Sequence, residues 1–266
     1  MEESEPVFKG QSYSGSSFYE FLRCDAPGLL PDFRELDFTH VELPHGTTVL
    51  ALVYSDGALM AGDRLATEGM AVGTRDIEKV YEIDETCAMG IAGAAGPAIE
   101  MVRLFELELE HYQKLEGQDL TFEGKANRLS FLLRQNLPAA MQGLVVMPLF
   151  AGFDRQAGRG RIYKFDITGG RYSETHYYGT GSGGKDARSS LKKSWSPDLG
   201  RDQAIDAAVE ALLDAADEDR ATGGFDMVRG IYPTCKLVTQ KGVEAVSGED
   251  LLASRERVLG RRRPDR

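Results

Sequence analysis

Apolar residues change their spacing at Thr48. Residues 1 to about 46 are rich in Ser, Gly, Pro and acidic side chains. There Phe18, Phe21 and Leu22 give only a brief helical spacing, the composition of a weakly ordered leader. From Thr48 the period is that of strands. TVLALVYSDGALMAGDR reads as two strands around Ser55-Asp56-Gly57, with Asp-Gly as the hairpin signal. A further strand pair is predicted at 79–83 and 87–92. Then GPAIEMVRLFELELEHYQKLEG predicts a helix, with Pro97 at the first helical position and Ile99, Val102, Leu104, Phe105 and Leu109 along one side. A second helix runs from about Phe122 through NRLSFLLRQNL. Strands return in GLVVMPLFAGFD, GRIYKFDITGG and RYSETHYYGTG, followed by helices near 185–195 and 202–217. The pair TCKLVTQKGVEAVS closes the series before a tail helix from Glu249. Strand pairs and helix pairs in this order predict an α+β fold in which two antiparallel sheets pack on each other with helices outside, because βαβ alternation is absent.

The chain has 266 residues, 42% of them hydrophobic, enough for one sizeable core. One domain of roughly 200 to 220 residues plus tails accounts for that length. A formal net charge of −11 argues against a nucleic-acid-binding surface, which needs clustered Lys and Arg. The one basic run, RRRPDR at the C-terminus, reads as a solvated, disordered tail or else as a docking or nucleic-acid contact. Cys24, Cys87 and Cys235 are odd in number and lack CxxC spacing, so they suggest neither a disulfide framework nor a zinc site, and a reducing, cytoplasmic setting fits. Acidic residues near the N-terminus and the lack of an apolar h-region exclude a signal peptide. No window approaches 18 consecutive apolar residues, so no membrane span is expected.

Most catalytic inventories fail on this chain. Its four histidines are scattered, with no HExxH and no GxSxG nearby. GTGSGGKD, residues 179–186, is glycine-rich but lacks the Gly-Lys-Ser/Thr ending of a phosphate loop. What remains is HGTTVLAL. A threonine hydroxyl is a weak nucleophile that needs a base. Cleavage of the Gly46–Thr47 bond would give Thr47 a free α-amine, whose reference pKa near 8 lets one residue supply both nucleophile and base. Gly46 has no Cβ to obstruct attack on its carbonyl. The same threonines also read as an ordinary β-branched opening of a strand. Asp63, ending the second strand of the hairpin, can return beside Thr47, and a buried Lys79 would lower the pKa of the hydroxyl and amine. Taken singly, both also read as surface charges at strand ends. EDRATGG, with Asp219 and Thr222, reads as a helix C-terminus closed by Gly-Gly.

Together HGTTVLAL, AGDRLAT, RDIEKVY, GIAGAAG, ELEHYQKLEG, LTFEGKANRL, NLPAAMQG, GTGSGG, AADEDRATGG and VRGIYPT, in order from about residue 38 to 248, resemble the β-subunit family of actinobacterial 20S proteasomes. The resemblance implies a four-layer αββα sandwich of the N-terminal nucleophile hydrolases and a threonine endopeptidase without metal or organic cofactor. It divides the chain into a propeptide, 1–46, removed autocatalytically; a catalytic domain, 47–248; and a C-terminal tail, 249–266. It makes Thr47 the nucleophile, Asp63 and Lys79 the charged pair beside it, and Gly93 the backbone N–H donor of the oxyanion hole. Ser182, Asp219 and Thr222 become supporting groups, Thr222 standing where relatives often have Ser. Ala66, Ile77, Ile91 and Ala95 line the substrate pocket, whose aliphatic character favours cleavage after apolar residues. The implied partners are proteasome α subunits, other β subunits in heptameric rings, a ring-shaped ATPase acting through the α rings, and unfolded polypeptide substrates; no nucleic acid and no membrane take part. One departure is Leu65, where relatives commonly carry a second arginine after Arg64. Two rivals remain: a two-ring bacterial threonine peptidase, and a catalytically silent ring subunit that would keep its leader.

Overall fold

The computed structural model describes residue 24, residues 46–68 and residues 71–262. The brief helical spacing at Phe18, Phe21 and Leu22 therefore lies outside the described residues, as does nearly all of the expected leader. Twelve strands and five helices are described. Sheet A has the order β10 (Tyr177–Gly181), β1 (Thr48–Tyr54), β2 (Gly57–Gly62), β11 (Thr234–Thr239), β12 (Gly242–Ala245). Sheet B has the order β5 (Val80–Asp84), β6 (Cys87–Gly93), β7 (Val146–Asp154), β8 (Arg159–Phe165), β9 (Arg171–Glu174). All pairings are antiparallel. The helices are α1 (Ala95–Glu116), α2 (Phe122–Ala140), α3 (Gly184–Ser194), α4 (Arg201–Glu218) and α5 (Gly248–Arg262). None is long and apolar enough to cross a membrane.

Three cores stack through the molecule and give the expected four layers. Leu50, Leu52 and Leu59 of sheet A face Leu191 of α3, Ile205 and Leu212 of α4 and Val258 of α5. Val49, Ala51 and Met60, on the opposite face, meet Leu149, Ala151 and Ile162 of sheet B. Beyond that, Met89, Phe150 and Tyr163 pack on Phe105 of α1 and Leu129 of α2. Successive residues of a strand point to opposite faces, and here both faces are covered. VLALV, after Thr48, is therefore apolar without interruption although its neighbours run antiparallel.

The structure departs from the sequence reading in four places. RYSETHYYGTG is not one unit: β9 ends at Glu174 on the edge of sheet B and β10 begins at Tyr177 on the edge of sheet A, so two residues carry the chain between layers. Pro97 is the third residue of α1, not the first; amides in a helix's first turn have no intrahelical acceptor, so the missing N–H is tolerated there too. Helix α2 continues through Pro138 and stops two residues later. A short ribbon, β3 (Ala66–Glu68) with β4 (Ala71–Thr74), was not anticipated; β4 is exposed throughout and offers no apolar face to read. At the C-terminus, α5 buries Leu251 and Val258 against α4, and Arg261 and Arg262 of the basic run pair with acids of α4.

Candidate active site

Thr47 immediately precedes β1, and Asp63 immediately follows β2. The register Val49↔Gly62 sets Asp63 opposite Thr48, whose carbonyl accepts from Asp63 N at 3.1 Å. Lys79 immediately precedes β5 in the other sheet and reaches back across the gap between the layers. Its Nζ donates to Asp63 Oδ1 at 2.7 Å, to the Leu65 carbonyl at 2.5 Å and to the Gly46 carbonyl at 3.0 Å, which engages all three ammonium protons. Asp63 is fully buried and its carboxylate is saturated. Oδ1 accepts from Lys79 and from Thr48 N at 2.8 Å; Oδ2 accepts from Leu65 N at 3.0 Å and Gly223 N at 2.8 Å. Burial pushes the Lys79 ammonium below the ordinary lysine value, and the charge and hydrogen bond of Asp63 oppose the shift.

Thr47 Oγ1 donates to the Gly46 carbonyl oxygen at 2.6 Å. Among the described residues no hydrogen bond joins Lys79 to the Thr47 hydroxyl: in the continuous chain both meet at the Gly46 carbonyl instead. Gly46 is also a matter of space, since a Cβ there would stand 2.5 Å from Thr67 Oγ1. On the other side, Thr47 N donates to Ser182 Oγ at 3.4 Å, in the turn between β10 and α3. Ser182 Oγ donates to Asp219 Oδ2, which also accepts from Thr222 Oγ1 at 2.6 Å. Asp219 caps the C-terminus of α4, as the EDRATGG segment suggested on local grounds.

A cavity of about 360 Å³ opens beside Thr47. Gly93 lines it at the end of β6, with φ of 121°, and a Cβ there would stand 2.1 Å from the Val145 carbonyl oxygen. No L side chain takes that conformation without strain, so only glycine leaves this stretch of backbone open to the cavity. Ala66, Ile77, Ile91 and Ala95 all border the same space. So do Tyr81 and Ile99, which sequence reasoning missed; both were read as ordinary strand and helix positions, and nothing in their spacing marks them as wall residues. Also missed were the backbone donors of Thr48, Leu65 and Gly223 to Asp63, which carry no residue-type signature at all. Leu65, the departure noted in the sequence, contributes both its N–H and its carbonyl to this arrangement, and its side chain is buried against Gly223.

The arrangement can do definite chemistry. A hydroxyl and an ammonium converge on one carbonyl in a buried, hydrogen-bonded setting, with a largely apolar cavity alongside whose lining also includes Glu78.

The comparisons with known proteins agree with one another. A family model described as "Proteasome subunit" matches residues 43–229. "Proteasome subunit beta" of Rhodococcus opacus (strain B4) is 51% identical over 263 residues, covering 93% of this chain and 90% of the relative. The protein of the same name from Saccharopolyspora erythraea is 53% identical over 251 residues, covering 90% and 88%. That of Acidimicrobium ferrooxidans is 49% identical over 241 residues, covering 91% and 88%.

Proposed function

The chain belongs to the proteasome subunit family, and from that premise we propose that it becomes active by cutting its own Gly46–Thr47 bond. It is a β-type subunit, a hydrolase of the threonine endopeptidase class, and it assembles with other proteasome subunits. The observation that carries the self-processing reading is the meeting of Thr47 Oγ1 and Lys79 Nζ at the Gly46 carbonyl oxygen, 2.6 and 3.0 Å away.

In that reading Thr47 Oγ bonds to the Gly46 carbonyl carbon while its proton passes to the departing Thr47 nitrogen and the C–N bond breaks. Water then hydrolyses the resulting ester, leaving a Gly46 carboxylate, the free hydroxyl and a free α-amine. In turnover the same hydroxyl attacks a substrate carbonyl and the α-amine, through a water, carries the proton. Gly93 N–H stabilises the oxyanion and water releases the acyl-enzyme. Lys79, held by Asp63, supplies a fixed positive charge beside the oxygen nucleophile, and Ser182, Asp219 and Thr222 hold the nitrogen side. Residues 1–46 are then a removable leader, 47–248 the catalytic domain and 249–266 the tail. The cavity walls Ala66, Ile77, Ile91 and Ala95 are small or aliphatic, which supports cleavage after apolar residues, although Glu78 also borders the cavity. Further out, the reading includes heptameric β rings, α subunits, a ring-shaped ATPase acting through the α rings, unfolded polypeptide substrates and a cytoplasmic setting.

Intact mass and peptide hydrolysis of the assembled protein test it. The wild-type chain should begin at Thr47, and Thr47→Ala should keep its leader and lose hydrolysis. A wild-type chain still beginning at Met1, or an active Thr47→Ala variant, would overturn the mechanism.

A further inference from the structure

Thr48, the second threonine of the pair, has a buried side chain at the very start of β1. Its Oγ1 lies 2.6 Å from Thr222 Oγ1, which is itself buried. Each hydroxyl has one proton. Thr222 commits its proton to Asp219 Oδ2, a carboxylate oxygen that is the stronger acceptor, at 2.6 Å. In the contact between the two threonines, therefore, Thr48 donates. Ser182 has two acceptors in reach, the Thr47 carbonyl at 3.3 Å and the closer Asp219 Oδ2; its one proton goes to the carboxylate, the stronger acceptor, and its oxygen is left to accept from Thr47 N. The direction of every hydrogen bond from Thr48 to the nucleophile's nitrogen follows.

A second observation shows that the hydroxyl pair is built into the fold. Gly183, the residue after Ser182, has its open side against both hydroxyls: a Cβ there would stand 2.4 Å from Thr48 Oγ1 and 2.7 Å from Thr222 Oγ1. The glycine of this turn thus makes room for the two threonines. Thr48 also gives its N–H to Asp63 Oδ1 at 2.8 Å, so one residue ties the Asp63–Lys79 arm to the Asp219–Ser182 arm.

We propose that Thr48 is a positioning residue for Thr47: its side-chain hydroxyl fixes Thr222 and Asp219 so that Ser182 presents a lone pair to the nucleophile's nitrogen. This rests on the reading of Thr47 as the nucleophile. The experiment uses the full chain in its assembled particle, with turnover counted per subunit that intact mass shows to begin at Thr47. Thr48→Val keeps the shape and loses the hydroxyl; it should lower kcat about tenfold, the effect of one hydrogen bond in a charged network, with KM for a fluorogenic peptide within about twofold. Thr48→Ser restores the hydroxyl and should restore kcat. Thr222→Val should fall at least as far as Thr48→Val, because it removes the bond to Asp219 as well as the one from Thr48, and the double variant should fall no further than Thr222→Val, because the Thr48 hydroxyl acts only through Thr222. Retention of the leader in Thr48→Val but not in Thr48→Ser counts with the proposal, since Thr47 N makes its contact with Ser182 in the uncut chain as well. Wild-type kcat in Thr48→Val, equal losses in Thr48→Ser, or multiplying losses in the double variant would overturn it. An active Thr47→Ala variant in the same assay would overturn the underlying nucleophile reading instead, which keeps the two failures distinct.

Discussion

A carboxylate with no exposed surface is tolerable only if its charge is matched and its lone pairs are filled. Asp63 meets both conditions with Lys79 and three backbone N–H groups. Removing the ammonium leaves that charge unmatched. Lys79→Ala should therefore destabilise the folded chain by about 3 kcal/mol, besides abolishing turnover. Urea unfolding should show a lower midpoint with an unchanged slope; an unchanged midpoint would mean that the backbone donors alone suffice. At this scale Asp63 and Lys79 could be named from their types and their places at strand ends, and Ser182 from the family resemblance, whereas Leu65 N and Gly223 N could not, because every residue type except proline offers the same amide.

Helices α4 and α5 are joined by a ladder of charges as well as by apolar packing. Asp206, nearly buried on α4, accepts from Ser254 at 2.7 Å, Arg257 at 2.7 Å and Arg261 at 3.0 Å, while Arg262 reaches Asp214 at 2.5 Å. Burial alone would raise the Asp206 carboxyl, yet bonds from Arg257, Ser254 and Arg261 hold it below the usual carboxylate value. A carboxyl whose folded value lies below its unfolded value of about 3.9 contributes stability that is fully present above that pH and is lost as pH falls through the folded value. Asp206→Asn should accordingly lower stability by about 2 kcal/mol at pH 7, and the gap should close below about pH 3.9 as the wild type loses its advantage. Urea midpoints of both proteins across pH 2 to 7 measure this, and a gap independent of pH would refute the ionic clasp. The sequence predicted helices here, at 202–217 and from Glu249. That the arginines of α5 face a row of acids about 50 residues earlier is a tertiary fact, visible only once the two helices are side by side.

For the whole molecule, membership of the proteasome subunit family makes an assembly with other subunits the working unit. The sevenfold β rings proposed above predict a particle whose native mass, with α subunits co-expressed, contains β chains in multiples of seven, each shortened by residues 1–46. Native mass spectrometry reads both quantities from one sample. Multiples of six would match the two-ring bacterial peptidase, and full-length β chains would refute the processing reading.

The sequence by itself determined the class of fold, because strand and helix periods survive in any local window and their order admits few layerings. It also determined which residue types stood ready for chemistry. Tertiary structure decided what no window contains. Residues 175–176 pass between layers because β9 and β10 complete different sheets. Tyr81 and Ile99 become walls because β5 and α1 border one cavity. The second threonine of HGTTVLAL is the sharpest case. Locally it is a β-branched residue opening a strand, and only the approach of Thr222, 174 positions later, gives its hydroxyl a partner. Hydrogen-bond direction depends on what lies within 3 Å in space, and sequence order records that only for neighbours in the chain.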